Sequence, residues 1–411
     1  MRAPDLRPRV AYVRGSYLNP FETQYLEPIL DRFDITAVYP RSHRFDVSQI
    51  EIPTLQLPCL DYLNGVVPRR IGGLTIPNPQ KRLGFDEYLF GLDRLLPALR
   101  LVHAAEQTFY CSYQLAQRKA RYGYKLICVQ AEINPFWSEG HGNVFERAAF
   151  VRKTADLFIA RSERARSALQ CEGVEPERIR VIGHGIDTRR FAPGRRSAEL
   201  CQTFGIDPGS FVVLFVGRLV WEKGLFSLAD AAGLLLQDPA FRALNPVFVC
   251  AGDGPDRGGL LRRLRRLGIE QHFRLIGAQP YSRLPEIHRL ADVFVLPSIA
   301  TRTVQEQFGI ALIEAMATAQ PVLTTRCGAI DEVIGDAGLL VQPNDYFRLA
   351  EGLRTLAFDT ELRSRLGQLG LARVQRLFTR EIIGERIAAA YTDVLGGPDA
   401  MKQMAAAQRA R

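Results

Sequence analysis

The chain has 411 residues, 47% hydrophobic and 24% charged, with a formal net charge of +9. That is ordinary globular composition in a chain long for one domain, so two domains with well-buried cores are expected and disorder is confined to the ends. No apolar run reaches the roughly 18–20 residues of a spanning helix, and the start "MRAPDLRPRVAYV" lacks the apolar centre of a secretory signal, so a cytoplasmic protein is expected.

The seven cysteines are scattered, odd in number and without CxxC or Cys/His spacing, which reads as buried small hydrophobes in a reducing compartment and excludes a zinc-binding pattern. Only six of the 53 basic residues are lysine. A positive excess suits anionic partners, either phosphates or an anionic bilayer at the inner face of the plasma membrane. No RNA-binding aromatic motif or zinc-finger spacing points to nucleic acid.

In chain order, "RVAYVRG" (9–15) reads as a strand and glycine turn. A helix follows, with Asn19 as N-cap, Pro20 in the first turn and Glu22 as the return partner of a capping box. Strands are then predicted at 34–40, 98–106, 124–132, 155–162 and 178–187, with a helix running to about Arg121. The charged, turn-rich stretch 189–200 reads as the linker between domains. The pattern restarts with a strand at 210–219, a strand and turn at 246–255 and further strand-like runs at 273–280, 291–298, 321–329 and 338–345, and closes on an amphipathic helix over 380–396 and a basic tail. Strands alternating with helices predict parallel sheets covered on both faces, with ligands beyond the carboxyl ends of the strands.

Three stretches carry chemistry. In "VGRLVWEKG" (216–224), Arg218 leaves the end of a strand beside Gly217, and Lys223 follows after a short loop. Two cations so placed suit a diphosphate, although a surface pair of Lys223 with Glu222 is the plainer reading. In "AGDGP" (251–255), Gly252, Gly254 and Gly258 make a GxGxxxG pattern, but the next strand ends without the acidic residue a dinucleotide site uses, so a tight turn is preferred to nicotinamide binding. In "EQFGIALIEAMATAQPV" (306–322) a helix is expected from Phe308–Gly309, with Ile310, Ile313, Met316 and Ala317 on its buried stripe. Gly309 leaves the helix N-terminus open to a phosphate. Glu306 precedes the helix and Glu314 lies roughly 12 Å further on, a separation too long for one metal and suited to two ends of one ligand. The alternatives are a helix cap at Glu306 and a solvated face at Glu314.

Together "VGRLVWEKG", "GDGP", "LPS", "EQFGIALIEAMA", "GHGIDTRRFAP" (183–193) and "CGAIDEVIGDAGLLV" (327–341) resemble the retaining glycosyltransferases of family 4. The resemblance is dense over 155–345 and thin before it. It implies an α/β GT-B fold, with two Rossmann-like doubly wound domains facing across a cleft. Residues 1–193 would form the acceptor-side domain and 194–378 the nucleotide-sugar domain. Residues 379–396 would be a closing helix packing back toward the first domain, and 397–411 a basic tail. Position by position, Arg218 and Lys223 would bind the donor diphosphate, Glu306 the transferred sugar and Glu314 the ribose. The Phe308–Gly309–Ile310 amides would meet the distal phosphate, Gly217 would line the same loop, and Gly277 would pack near the base. Gly15 and Ser16 would approach the diphosphate from the first domain.

The implied reaction moves a sugar with retention from a UDP- or GDP-sugar to a glycan or lipid-linked acceptor of envelope polysaccharide or glycolipid synthesis. It would run by a front-face mechanism with neither metal nor cofactor, and no Asp-x-Asp triplet occurs. A sugar-nucleotide epimerase and a non-catalytic nucleotide-sugar-binding module are the competing readings. The sequence departs from the family at Ala319, where glycine is usual, and at Asp331, where proline is usual; both are tolerable where the backbone avoids positive φ. The family histidine of the first domain is absent, which leaves Glu106, Gln130, Glu132 and Asn134 as acceptor-side candidates.

Overall fold

A computed structural model describes residues 7–59, 70–71, 74–75, 88–301 and 304–399. The chain divides into two units, one running to Gly185 and resuming at Arg380, the other spanning Ile186–Thr379.

The first unit is built on a seven-stranded parallel sheet. Its strands are β1 (Arg9–Val13), β2 (Asp34–Pro40), β3 (Thr54–Leu57), β6 (Leu101–Glu106), β7 (Lys125–Gln130), β8 (Leu157–Ala160) and β9 (Ile179–Val181), with β4 (Arg70–Ile71) and β5 (Leu74–Thr75) forming a separate antiparallel pair. The order β3-β2-β1-β6-β7-β8-β9 reverses direction between β1 and β6, and that reversal is the topological switch point. Val10, Ala11, Tyr12 and Val13 of β1 are all buried, as a strand covered on both faces requires. The helix Arg380–Val394 belongs to this unit. Its Ile383, Ile387 and Tyr391 recur at helical spacing and are fully buried, each contributing about 1.5–3 kcal/mol relative to exposure. Tyr391 Oη also reaches His103 Nδ1 at 2.7 Å, which ties the last helix to the centre of the sheet.

The second unit repeats the plan with β10 (Val212–Val216), β11 (Val247–Ala251), β12 (Phe273–Gly277), β13 (Val293–Leu296), β14 (Val322–Thr325) and β15 (Gly338–Val341). The order β12-β11-β10-β13-β14-β15 is the doubly wound dinucleotide-fold order, with its switch point between β10 and β13. Every residue of β10, β11, β13 and β14 is buried.

Several expectations differ from what is observed. The stretch 189–200 lies wholly inside the second unit, anchored by Arg289, which donates to the carbonyls of Ala192 and Arg190 at 2.9 and 3.0 Å; from Ala198 it is helical. Strand β3 escapes prediction because only its last residue, Leu57, is buried, as suits an edge strand. Asn19 caps the short helix by accepting from Glu22 N at 2.8 Å, but the Glu22 carboxylate does not close a capping box. It takes a bidentate pair from Arg14 at 2.7 and 2.9 Å instead, and both side chains are buried. Ala319 stands at φ 59, so its backbone does not avoid the left-handed region. The basic tail lies outside the described residues beyond Asp399. Among the described residues no helix is long and apolar enough to cross a membrane.

Candidate active site

Four loops meet at the carboxyl end of the second sheet, and their glycines and backbone bonds explain why. Gly217 N donates to Ala251 O and Leu219 N to Asp253 O, both at 3.0 Å, which binds the loop after β10 to the loop after β11. Gly252 has φ 144, and a Cβ there would lie 1.9 Å from Gly217 O; one at Gly254 would lie 2.4 Å from Leu219 O. The glycines of "AGDGP" therefore serve close backbone approach within the loop cluster. Asp256 accepts from Trp221 N at 2.8 Å and fixes the far end of the loop, while Ile299 N donates to Glu222 O at 2.8 Å and joins it to the segment after β13.

Lys223 and Glu306 are brought together by this scaffold from 83 positions apart. Lys223 Nζ donates to Glu306 Oε2 at 2.5 Å, and Ser298 Oγ donates to the same oxygen at 2.9 Å. Burial pushes the Glu306 carboxyl up, but the charge of Lys223 and the two hydrogen bonds outweigh it and hold the carboxyl below its usual value. Among the described residues Oε1 of Glu306 has no hydrogen-bond partner, so one oxygen of a fixed carboxylate is left to accept from a ligand. Glu306 is not a helix cap: its carbonyl accepts from Ala329 N at 2.8 Å, and the cap position belongs to Gly309 at φ 83. Lys223 does not pair with Glu222. Arg218 is exposed, and its guanidinium has no partner among the described residues, which leaves a free cation beside Gly217.

The helix Ile310–Ala317 begins at this point. Gly309 in the left-handed region turns the chain into it, and its first N–H groups have no partners within the helix. Phe308 is buried against Phe378, while Ile310 is only partly buried. Glu314, one turn on, is 3% exposed, and its Oε2 meets His288 Nε2 at 3.3 Å. His288 is fully buried and its Nδ1 has no partner. Glu314 is thus a held group and not a solvated face. Gly277, at φ 72, ends β12 and accepts from Gly252 N at 2.8 Å.

The remaining candidates lie in the first unit. Gly15 (φ 58) and buried Ser16 form the turn after β1. Glu106 ends β6, immediately across the switch point. Gln130 ends β7 and is buried; it accepts from Gln107 at 3.2 Å and donates to Glu132 O at 2.9 Å. Glu132 Oε1 accepts from Ile133 N, Asn134 N and Asn134 Nδ2 at 2.8–3.0 Å, so Glu132 and Asn134 shape their own loop. Sequence reasoning passed over Ser298, His288 and the Arg14–Glu22 pair. Ser298 was legible from its place directly after a strand, whereas the other two needed the fold.

Residues 198–372 match the family model described as Glycosyl transferases group 1. Over 229 residues the chain is 34% identical to D-inositol 3-phosphate glycosyltransferase of Nocardia farcinica, covering 54% of this chain and 48% of that protein. Over 264 residues it is 26% identical to alpha-D-kanosaminyltransferase of Streptomyces kanamyceticus, covering 63% of each. The chain spans about half the length of the D-inositol 3-phosphate glycosyltransferases it matches. Anabaena Alr3699/HepE, solved in complex with UDP, superposes with a TM-score of 0.73 at 20% identity over 94% of this chain and 100% of that one. WaaG, a glycosyltransferase involved in lipopolysaccharide biosynthesis, does so at 0.67 and 19% over 94% and 100%. The shared fold is α/β GT-B.

Proposed function

We propose that the protein is a retaining glycosyltransferase that moves a sugar from a UDP- or GDP-sugar to a hydroxyl of a glycan or lipid-linked acceptor in envelope polysaccharide or glycolipid synthesis. One observation carries the reading: a carboxylate, Glu306, is fixed by Ser298 and by Lys223, whose loop also carries the free Arg218, just before an open helix start at a sheet switch point. The names of the relatives and the UDP bound by the structural neighbour support it.

In this reading the donor diphosphate lies between the N-terminus of the Ile310–Ala317 helix and the two cations. Arg218 and Lys223 gain most as negative charge grows on the departing phosphate, so they stabilise the transition state more than the bound donor. They supply the countercharge, and the transfer runs without a divalent metal. Oε1 of Glu306 accepts from hydroxyls of the transferred sugar, and Glu314, steadied by His288, accepts from the ribose. Gly217 and Gly277 line the nucleotide. The departing phosphate takes the acceptor proton on the same face, so the new bond keeps the configuration of the old one.

The test is release of nucleoside diphosphate from UDP-glucose or GDP-mannose in the presence of EDTA, with product configuration read by NMR. Release is expected to depend on an acceptor, and Glu306→Gln is expected to slow it on the order of a hundredfold or more while the circular dichroism stays unchanged. A Glu306→Gln enzyme with near-normal kcat would overturn the role given to this carboxylate.

A further inference from the structure

The first unit has a switch point of its own, and it carries a carboxyl that the donor chemistry does not use and that no side chain among the described residues pairs. Glu106 is the last residue of β6. The pairing of β6 with β7 slips between Ala104 and Glu106, so Ala105 is an extra residue in the ladder and Glu106 falls opposite Val129. A bulge of this kind at a strand end re-aims the side chain that follows it. Glu106 is only partly buried and has no side-chain partner among the described residues; its carboxylate accepts from the backbone N–H of Glu132.

The charges around it are specific. From the turn after β1 it faces Arg14 and Glu22, and from the loop after β7 it faces Glu132. Arg14 carries the charge of Glu22, giving it Nε and Nη2, while its buried Nη1 has no hydrogen-bond partner among the described residues. The neighbourhood therefore holds three carboxylates against one cation, and that cation is paired.

We infer that Glu106 is the acceptor-binding carboxylate of the first unit, taking the hydrogen bond of an acceptor hydroxyl, and that the acceptor it serves is an uncharged sugar or polyol and not a phosphorylated one. A carboxylate accepts from hydroxyls and repels phosphate, and among the described residues the cation that acts on this one, Arg14, already balances Glu22. This departs from the anionic acceptor in the names of the D-inositol 3-phosphate glycosyltransferases, and it rests on the transferase reading above. Burial, with the charges of Glu132 and Glu22, raises the Glu106 carboxyl to about 7 against the pull of Arg14 and the Glu132 N–H. The accepting, ionised form thus becomes dominant only as pH rises through that value, and acceptor use should rise with it.

The experiment follows nucleoside diphosphate release by the full chain from UDP-glucose and GDP-mannose between pH 5.5 and 9, with methyl α-D-glucopyranoside, myo-inositol or D-inositol 3-phosphate as acceptor. Binding of UDP and GDP is measured in parallel. The expected result is acceleration by a neutral polyol over the phosphorylated one, with a rising limb near pH 7 in kcat/KM for the acceptor. Glu106→Gln should flatten that limb and lower kcat/KM about 10- to 100-fold while nucleotide binding stays unchanged. Four outcomes overturn the inference: a phosphorylated acceptor used better than the neutral ones, no acceleration by any neutral polyol, an unchanged pH limb in Glu106→Gln, or nucleotide binding lost in that variant. If neither UDP nor GDP binds the unmodified protein, the donor reading itself has failed.

Discussion

At the scale of single residues, strain and pairing separate positions the fold tolerates from positions the chemistry uses. Ala319 ends the turn after the Ile310–Ala317 helix in the left-handed region, which costs an L side chain about 1–2 kcal/mol. Glycine relieves that cost but gives back part of it through a more flexible unfolded chain. Ala319→Gly is therefore expected to raise unfolding stability by roughly 0.5–1 kcal/mol in urea titration, with no effect on nucleotide binding. A loss of stability would show that the Ala319 methyl packs better than its backbone suggests. Glu306 is the opposite case, because its low carboxyl pKa follows from Lys223 and Ser298. With the folded value depressed, the stability from this pair is present at neutral pH and lost as pH falls through the folded value.

At the scale of elements, the second unit is organised by loops that bind one another before they bind anything else. Gly252 is one of the tightest joints, where the loop after β11 lies against Gly217 O. Gly252→Ala would drive a methyl into that carbonyl and push away the loop that carries Arg218 and Lys223. The expected outcome is a loss of about 2–4 kcal/mol of stability together with weakened nucleoside diphosphate binding, read by chemical denaturation and calorimetry. A variant that keeps its affinity would mean that the loop holds its shape without this contact. Glu22 gives the same lesson in the first unit: a residue that fits a capping box by spacing is taken instead by Arg14, because a buried guanidinium needs a carboxylate more than a helix end does.

At the scale of the whole molecule, two doubly wound sheets, alike in order except for one further strand at the end of the first, are each reversed once, and candidate residues stand at both reversals. If the second unit holds the nucleotide, UDP or GDP at a hundred times its dissociation constant should add about 2.7 kcal/mol to that unit. For a unit of this size the melting temperature should then rise roughly 5–10 °C, with or without EDTA. Stabilisation by NAD in place of either nucleotide would return the glycines of "AGDGP" to a dinucleotide role.

The sequence by itself determined the alternation of elements and the Glu306, Lys223 and Arg218 candidates, because strand ends, glycine turns and helix starts are local and leave their residue types in order. Only the tertiary structure decided that Lys223 meets Glu306 and not Glu222, that His288 lies under Glu314, that Ala319 is strained, and that Arg14 pairs with Glu22 while Glu106 has no side-chain partner among the described residues. Each depends on burial and on partners up to 83 positions away, and no local pattern of residues encodes which buried charge finds which.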